Sequence, residues 1–325
     1  MAKYLLYRLG YMLFVLFIIS IILFAISKMM PGDPVLRLLE GRKLRPEQYE
    51  TQYRLGREKL GLDQPVAVQY FKWMRSMVTA DFGYSIQNKL PVRQMVAAPL
   101  KNTLKLNLFG LFFTFLITVP LGIVCATHKG RLGDQIIQIF TIIGYSLPVF
   151  IFGLIFISVF AVKFQIFPVS GTGVIDSKLT GFAKWWADLR YLALPLMVYV
   201  FSSLGGITRY VRAAMVEALR TDYIRTARAK GLPERIVVYS HAFRNSLIPF
   251  VTIFTGWFIT IFSGSVVIER TFSYNGIGNV LITSLMQQDF AVVLTFYMFY
   301  ALLTLAGNLI MDIGYCVVDP RVRLA

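Results

Sequence analysis

Residues 106–126 read LNLFGLFFTFLITVPLGIVCA, from Leu106 to Ala126, with no Asp, Glu, Lys, Arg or His among them. An α-helix rises about 1.5 Å per residue, so about 20 apolar residues cross a hydrocarbon core roughly 30 Å thick. The run is long enough to span a bilayer. Five more stretches share its character: Leu9 to Ser27, Ile136 to Val162, Tyr191 to Ile207, Leu247 to Ile268 and Phe290 to Met311, all likewise without Asp, Glu, Lys, Arg or His. Inside lipid every backbone polar group must be satisfied within the protein, which a helix does by itself. The expected fold is an all-α, polytopic membrane protein with six transmembrane helices.

Composition agrees. Of 325 residues, 56% are hydrophobic, 15% aromatic and 15% charged, whereas an ordinary globular chain has about 45–50% apolar and about 25% charged residues. The net charge of +16 could suggest a nucleic-acid binder, but such proteins cluster their bases on a polar surface. Here long uncharged runs separate the bases, so no nucleic-acid partner is expected. Cys125 and Cys316 sit at the ends of apolar runs, far from any zinc or disulfide spacing. His128 and His241 lie in basic loops, where a solvated or headgroup histidine is the ordinary reading. No Gly-x-x-x-x-Gly-Lys-Ser/Thr occurs, so a nucleotide that drives this protein must be bound by another chain.

The charge-free spans narrow the function. Proton-coupled carriers and voltage sensors need ionisable groups at membrane depth, which disfavours a secondary carrier; a passive channel is the other reading from that class. A membrane-embedded enzyme would need a paired-acid, Ser/His or His-Glu-x-x-His constellation there, and none is present; Asp312 and Asp319 fall at the end of the last span. The polar groups within the spans are hydroxyls and amides, including Asn107, Gln138, Ser146, Ser202, Ser203, Thr255, Thr260, Ser263, Ser265 and Asn308. They either line a path for a polar solute or bond neighbouring helices. Ser202 with Gly206, and Gly256, Thr260 and Gly264, are small residues at a spacing of four that permits close helix contact. Pro120, Pro148, Pro195 and Pro249 should kink or begin helices, because each removes a backbone donor.

Six spans place both termini on one face. With the termini inside, the inner segments hold Lys3, Arg8, Lys129, Arg131, Arg321, Arg323 and eight bases from Arg209 to Arg244; the short outer loops hold Lys163, Lys178, Lys184, Arg190 and Arg270. That bias sets cytoplasmic termini. The first span exceeds a signal peptide's apolar length and lacks a small-x-small cleavage site, so it reads as a retained anchor. The segment from Met29 to about Lys105 is long enough to translocate despite its bases. In it Pro46 is placed to open a helix, Gly61 to close it, and Pro65 to open a second through Trp73. It reads either as an outer docking or gating element or as a brace for the spans.

The segment between the fourth and fifth spans is the most informative. Residues 211–235 read VRAAMVEALRTDYIRTARAKGLPER, an Ala-rich run that favours helix. Gly231 suits the left-handed position past a helix end and Pro233 the first turn of the next. A compact, basic helix–turn–helix projecting from the membrane is suited to a groove in a partner. Its position tight between two spans disfavours DNA reading.

This loop resembles that of the permease subunits of ATP-binding-cassette importers: Glu217-Ala218-Leu219, with Leu219 for the second alanine of the general pattern, and Gly231 some fourteen residues on. The fuller set resembles the first-type (oligopeptide permease B-like) subunit of the dipeptide, oligopeptide and nickel branch. That set comprises Asp222-Tyr223-Ile224, Thr226 to Leu232, His241 to Asn245, Pro249, Pro31-Gly32-Asp33-Pro34, Leu60 to Pro65 with Gln69-Tyr70, Asp81 to Ser85, Glu269-Arg270-Thr271-Phe272, Gly276-Ile277-Gly278, Asp289 and Asp319 to Arg323.

The resemblance implies the transmembrane domain of a type I importer (MetI-like), with no catalytic, cofactor or metal residues of its own. It implies an N-terminal segment with the first helix (1–30), an external subdomain (31–103), a five-helix core (104–315) with its loop at about 209–246, and a cytoplasmic tail (316–325). The implied partners are a second homologous permease, two ATPase subunits binding ATP and Mg, an external binding protein, a peptide substrate and the bacterial cytoplasmic membrane. Nickel, glutathione or another small solute is the alternative cargo. Glu217, Ala218, Asp222, Tyr223, Ala227, Ala229, Lys230, Gly231 and Leu232 would form the ATPase coupling element, with Glu217 paired to an arginine such as Arg220 or Arg228. Ser146, Thr255, Trp257 and Ser263 would line the translocation path.

Overall fold

The structure, a computed structural model, is all-α and describes residues 2–29, 32–39, 41–43, 45–172, 179–246, 260–262 and 264–318. The helices are α1 (Ala2–Met29), α2 (Pro34–Leu39), α3 (Pro46–Lys59), α4 (Val66–Val78), α5 (Val92–Thr127), α6 (Leu132–Ser146), α7 (Val149–Phe156, continued by a π-helical stretch Ile157–Lys163) and α8 (Gly181–Ala218). They continue as α9 (Asp222–Ala229), α10 (Glu234–Ile236), a π-helical stretch Val237–Phe243, α11 (Arg244–Ser246), α12 (Val266–Thr271), α13 (Ile277–Met286) and α14 (Phe290–Val318).

Among the described residues four helices are long and apolar enough to cross a membrane: Leu6–Met29, Val92–Thr127, Gly181–Ala218 and Phe290–Ile313. The chain is a multi-pass membrane protein. The expected third span is not one straight helix: α6 and α7 meet at 104°. The break falls at Leu147-Pro148, because proline offers no N–H and disfavours helix at the residue before it. Counting this pair as one span makes five. The expected fifth span, with Pro249, lies largely outside the described residues. Pro120 and Pro195 sit inside continuous helices.

The chain divides into two compact units. One comprises Met1–Leu100 with Val280–Leu309. In it Asp33 accepts from the Val35 N–H at 2.8 Å, the Tyr53 hydroxyl at 2.6 Å and Arg57 at 3.1 Å, and Arg57 also bonds Asp63 at 2.8 Å. Burial would raise the Asp33 pKa, but these donors outweigh it and hold the carboxyl below its ordinary range. Gln69 donates to the carbonyls of Leu62 and Gln64 at 3.1 and 2.7 Å, and the Tyr70 and Ser20 hydroxyls are 2.8 Å apart. Ser85 donates to buried Asp289, the residue preceding α14. The motif residues of this unit thus bond one another.

The second unit is built on Lys101–Asn279, with α8 at its centre. A Cβ on Gly205 would lie 2.3 Å from the Thr141 carbonyl oxygen, and one on Gly122 would lie 2.5 Å from Val211. Helices α6 and α5 therefore approach α8 at backbone distance, as small residues allow in membranes. Gly205 makes this contact; Gly206, the expected partner of Ser202, has nothing within 4 Å of a Cβ. Around Thr103 the unit closes over Glu269, which is fully buried. Glu269 accepts from the Thr103 hydroxyl at 2.9 Å and the Asn279 N–H at 2.8 Å, and Thr103 in turn accepts from the Ile277 N–H at 2.8 Å. Nearby, Tyr274 donates to the Asn102 carbonyl at 2.7 Å.

Candidate functional site

Twenty residues of α5 separate Thr103 from Ile123, about 30 Å of helix, which matches the hydrocarbon thickness. At the Ile123 end α8 runs past its apolar stretch, carrying Arg209, Arg212 and Glu217 out to Ala218. The Ala-rich run expected to be one helix up to Gly231 is instead broken at Leu219–Thr221. The Leu219 N–H still bonds back to the Met215 carbonyl at 2.9 Å, while the Thr221 hydroxyl takes the Ala218 carbonyl at 2.6 Å, satisfying an acceptor that the ended helix leaves open. Thr and Asp compete with the helix backbone for local hydrogen bonds, so they favour such a restart.

Short α9 follows, with Ile224 and Ala227 buried. Its C-terminal turn ends at Gly231, whose φ is +75°, a conformation costly for residues with a Cβ. The Gly231 N–H donates to the Arg228 carbonyl at 3.0 Å and the Leu232 N–H to that of Ala227 at 3.4 Å, so the turn absorbs the last carbonyls of α9. Pro233 then precedes α10. Arg228 reaches across the turn to Glu234 through two bonds of 2.6 and 3.1 Å. Each holds the other charged: the Glu234 pKa is lowered and that of Arg228 raised by the shared hydrogen bonds.

The expected coupling residues divide into two sets. Ala218 and Ala227 are buried, and Leu232 is partly buried, against a cluster that includes Ile123, Val211, Met215, Ile224, Val237 and Ala242. Ser246 adds a 3.3 Å contact from its hydroxyl to the Met215 sulfur. Glu217, Asp222, Tyr223, Ala229, Lys230 and Gly231 are exposed. Alanines therefore do the packing that sets the loop down on α5 and α8, while acid, base and tyrosine face outward. The expected pairing of Glu217 is corrected: Arg228 is taken by Glu234, and Glu217 makes no ion pair among the described residues. A carboxylate left free on an exposed turn is available to a partner's donors.

Ser146 is exposed at the end of α6, beside the break; Thr255, Trp257 and Ser263 lie outside the described residues. His128 is exposed, 3.0 Å from the Thr127 hydroxyl, and His241 lies in the π-helical stretch. Among the described residues no group of three or more His, Cys, Asp or Glu side chains is placed to hold a metal.

One ion pair joins two helices of this unit that the sequence does not link. Asp134, at the start of α6, receives Arg212 of α8 through two bonds of 2.8 Å, one to each carboxylate oxygen. The signal was present as the lone acid of the basic segment 128–134, but nothing local names its partner 78 residues on.

Comparison with known proteins agrees along the chain. Residues 118–324 match the family of binding-protein-dependent transport system inner membrane components, and residues 1–107 match the N-terminal module of the same systems. The oligopeptide transport system permease protein AppB of Bacillus subtilis is 37% identical over 99% of this chain and 100% of its own length. The dipeptide transport system permease protein DppB of Lactococcus lactis is 35% identical over the whole of both chains. Among solved structures, a chain of the inward-facing MetNI methionine ABC transporter matches with a TM-score of 0.49 and 18% identity, over 69% of this chain and 98% of that one. With both sequence modules matched and its full length shared with these permeases, this chain belongs to the family of binding-protein-dependent transport system inner membrane components.

Proposed function

We propose that this chain forms half of the translocation pathway of an ATP-driven importer that carries peptides across the bacterial cytoplasmic membrane. The observation that carries the reading is the match, end to end, with permeases named for oligopeptide and dipeptide transport. Those relatives favour peptides over nickel, glutathione or another small solute. A second homologous permease completes the pathway, an external binding protein delivers the peptide, and two ATPase subunits bind ATP and Mg. Both termini lie in the cytoplasm.

The six charge-free runs supply no group through which an ion gradient could drive transport. Energy therefore enters through the loop after α8. Glu217, Asp222, Tyr223, Ala229, Lys230 and Gly231 meet the ATPase, and Ala218, Ala227 and Leu232 hold the loop rigid beneath them. Ser146, Thr255, Trp257 and Ser263 are proposed to line the path, where hydroxyl and aromatic groups read a peptide backbone without side-chain preference.

The test is uptake by the complete complex in proteoliposomes, using labelled alanine peptides of increasing length. Uptake that requires ATP, Mg and the binding protein is the expected result. ATP-dependent entry of nickel or glutathione with no entry of any peptide would overturn the cargo. Transport by the permease pair without ATPase subunits would overturn the mechanism.

A further inference from the structure

We propose that Asp134 is a positioning residue for transport: its two-toothed pairing with Arg212 joins α6 to α8, so that displacement of the coupling loop reaches the bend at Leu147-Pro148. This rests on the reading of the loop after α8 as the ATPase contact.

Arg212 lies on α8 five residues before Glu217, little more than one turn from the exposed loop. Its Nε donates to Asp134 Oδ1 and its Nη2 to Oδ2, both at 2.8 Å. The Asp134 side chain is 3% exposed and that of Arg212 24%. Asp134 also receives the Gly130 N–H at 2.9 Å and the Gln138 amide at 3.4 Å. A planar guanidinium gripped at two points fixes orientation as well as distance, which a lysine cannot do.

The pair is one end of a longer seam. Further along, Gly205 meets the Thr141 carbonyl, a Cβ on Gly144 would lie 3.1 Å from that of Phe201, and the Arg209 guanidinium sits 4.9 Å from the Tyr145 ring centroid. Seven residues forward on α6 correspond to seven backward on α8, from Asp134 and Arg212 to Thr141 and Gly205, so the two helices run antiparallel without slipping. Backbone-to-backbone packing resists separation, but it leaves sliding along the axis less constrained. The ion pair blocks that slide, because its bonds are directional and its carboxylate is buried. Helix α8 is continuous from Gly181 to Ala218, and α6 ends at the 104° bend. A push on the loop therefore moves both helices as one lever, and the bend is where the lever meets α7.

The experiment uses the assembled complex with binding protein and ATPases in proteoliposomes, measuring ATP hydrolysis and uptake of the labelled alanine peptide that the wild-type complex imports. Asp134→Asn is expected to leave stimulated hydrolysis close to wild type while peptide imported per ATP falls about tenfold. Arg212→Lys, which keeps the charge but loses the second bond, is expected to lose about threefold. Asp134→Arg combined with Arg212→Asp should recover part of the ratio. A merely structural role lowers the amount of complex, and hydrolysis and uptake together, at an unchanged ratio; that result overturns the proposal. If Asp134→Asn does not assemble, Arg212→Lys decides, and full coupling in that variant overturns it. If Gly231→Asp and Glu217→Ala leave both hydrolysis and uptake unchanged, the loop reading itself fails. If they uncouple and the Asp134 and Arg212 variants do not, only the lever fails.

Discussion

Two glutamates separate the ends of the second unit. Glu217, in the last turn of α8, is exposed and makes no ion pair among the described residues, amid eight bases between Arg209 and Arg244. Glu269, at the Thr103 end, is fully buried, with no cation paired to it among the described residues. Its carboxylate is met by neutral donors, the Thr103 hydroxyl and the Asn279 N–H. Glycines surround it: a Cβ on Gly276 would fall 2.3 Å from the carboxylate. A buried carboxyl group without its hydrogen-bond partners is costly. Glu269 therefore serves the fold around it, whereas Glu217 contributes nothing to the fold that its removal would take away. The same side chain is structural at one end of the unit and free for a partner at the other.

The contrast can be broken by substitution. Glu269→Ala leaves the Asn279 N–H without its acceptor and opens a cavity, so stability should fall by about 3 kcal/mol, since each buried group left unpaired costs roughly 1–3 kcal/mol. A thermal melt of the purified protein in nanodiscs reads this, and an unchanged midpoint would remove Glu269 from the fold. Gly276→Ala should cost about 2 kcal/mol through overpacking. Gly231→Ala, where a Cβ meets nothing within 4 Å, should cost about 1 kcal/mol for its left-handed backbone alone. Equal losses at the two glycines would mean that crowding around Glu269 does not matter.

Glu217→Ala sharpens the comparison from the other side. Its midpoint should shift by less than about 0.5 kcal/mol, while peptide imported per ATP falls. Gly231→Asp should also lower the peptide imported per ATP, with the loss of about 1 kcal/mol that its left-handed backbone imposes on a residue with a Cβ. Loss of folding in Glu217→Ala would erase the distinction between the two glutamates.

The smallest expected effect concerns Arg228 and Glu234. The folded-state pKa of Glu234 is below its ordinary value of 4.5, so the pair's contribution is complete above that value and is lost as pH falls through the lowered one. Both groups are about half exposed, and such pairs contribute only about 0.3 kcal/mol. The midpoint difference between wild type and Glu234→Gln should therefore be slight at neutral pH and absent in strong acid. A difference that persists in acid would assign it to packing instead of charge.

Much of this is legible in the sequence. A helix begins at Pro46, φ turns positive at Gly61 and Gly231, and a span breaks at Pro148. Each follows from the backbone of one or two residues. The loop after α8 was legible as a place, but Ala218 and Ala227, expected with Ala229 among the coupling residues, are buried in the chain's own core, where only the fold could put them. The pairing of Glu217 was misjudged, since several arginines lie within reach in sequence and only the fold of the turn gives Arg228 to Glu234. The break at Leu219–Thr221 was hidden by the high helix propensity on either side of it.

The sequence by itself determined that long apolar runs form helices able to cross a membrane, because the cost of moving each residue out of water is a local property summed over a run. It also determined the chain's family, through motifs spread over its length. Only the tertiary structure decided that Gly205 and not Gly206 meets Thr141, that Arg212 and not Arg209 grips Asp134, and that Glu269 is sealed by Thr103. Successive residues on a helix point about 100° apart, so which of two neighbours faces a partner depends on how each helix is rotated in the bundle. That rotation is set by all of its contacts at once.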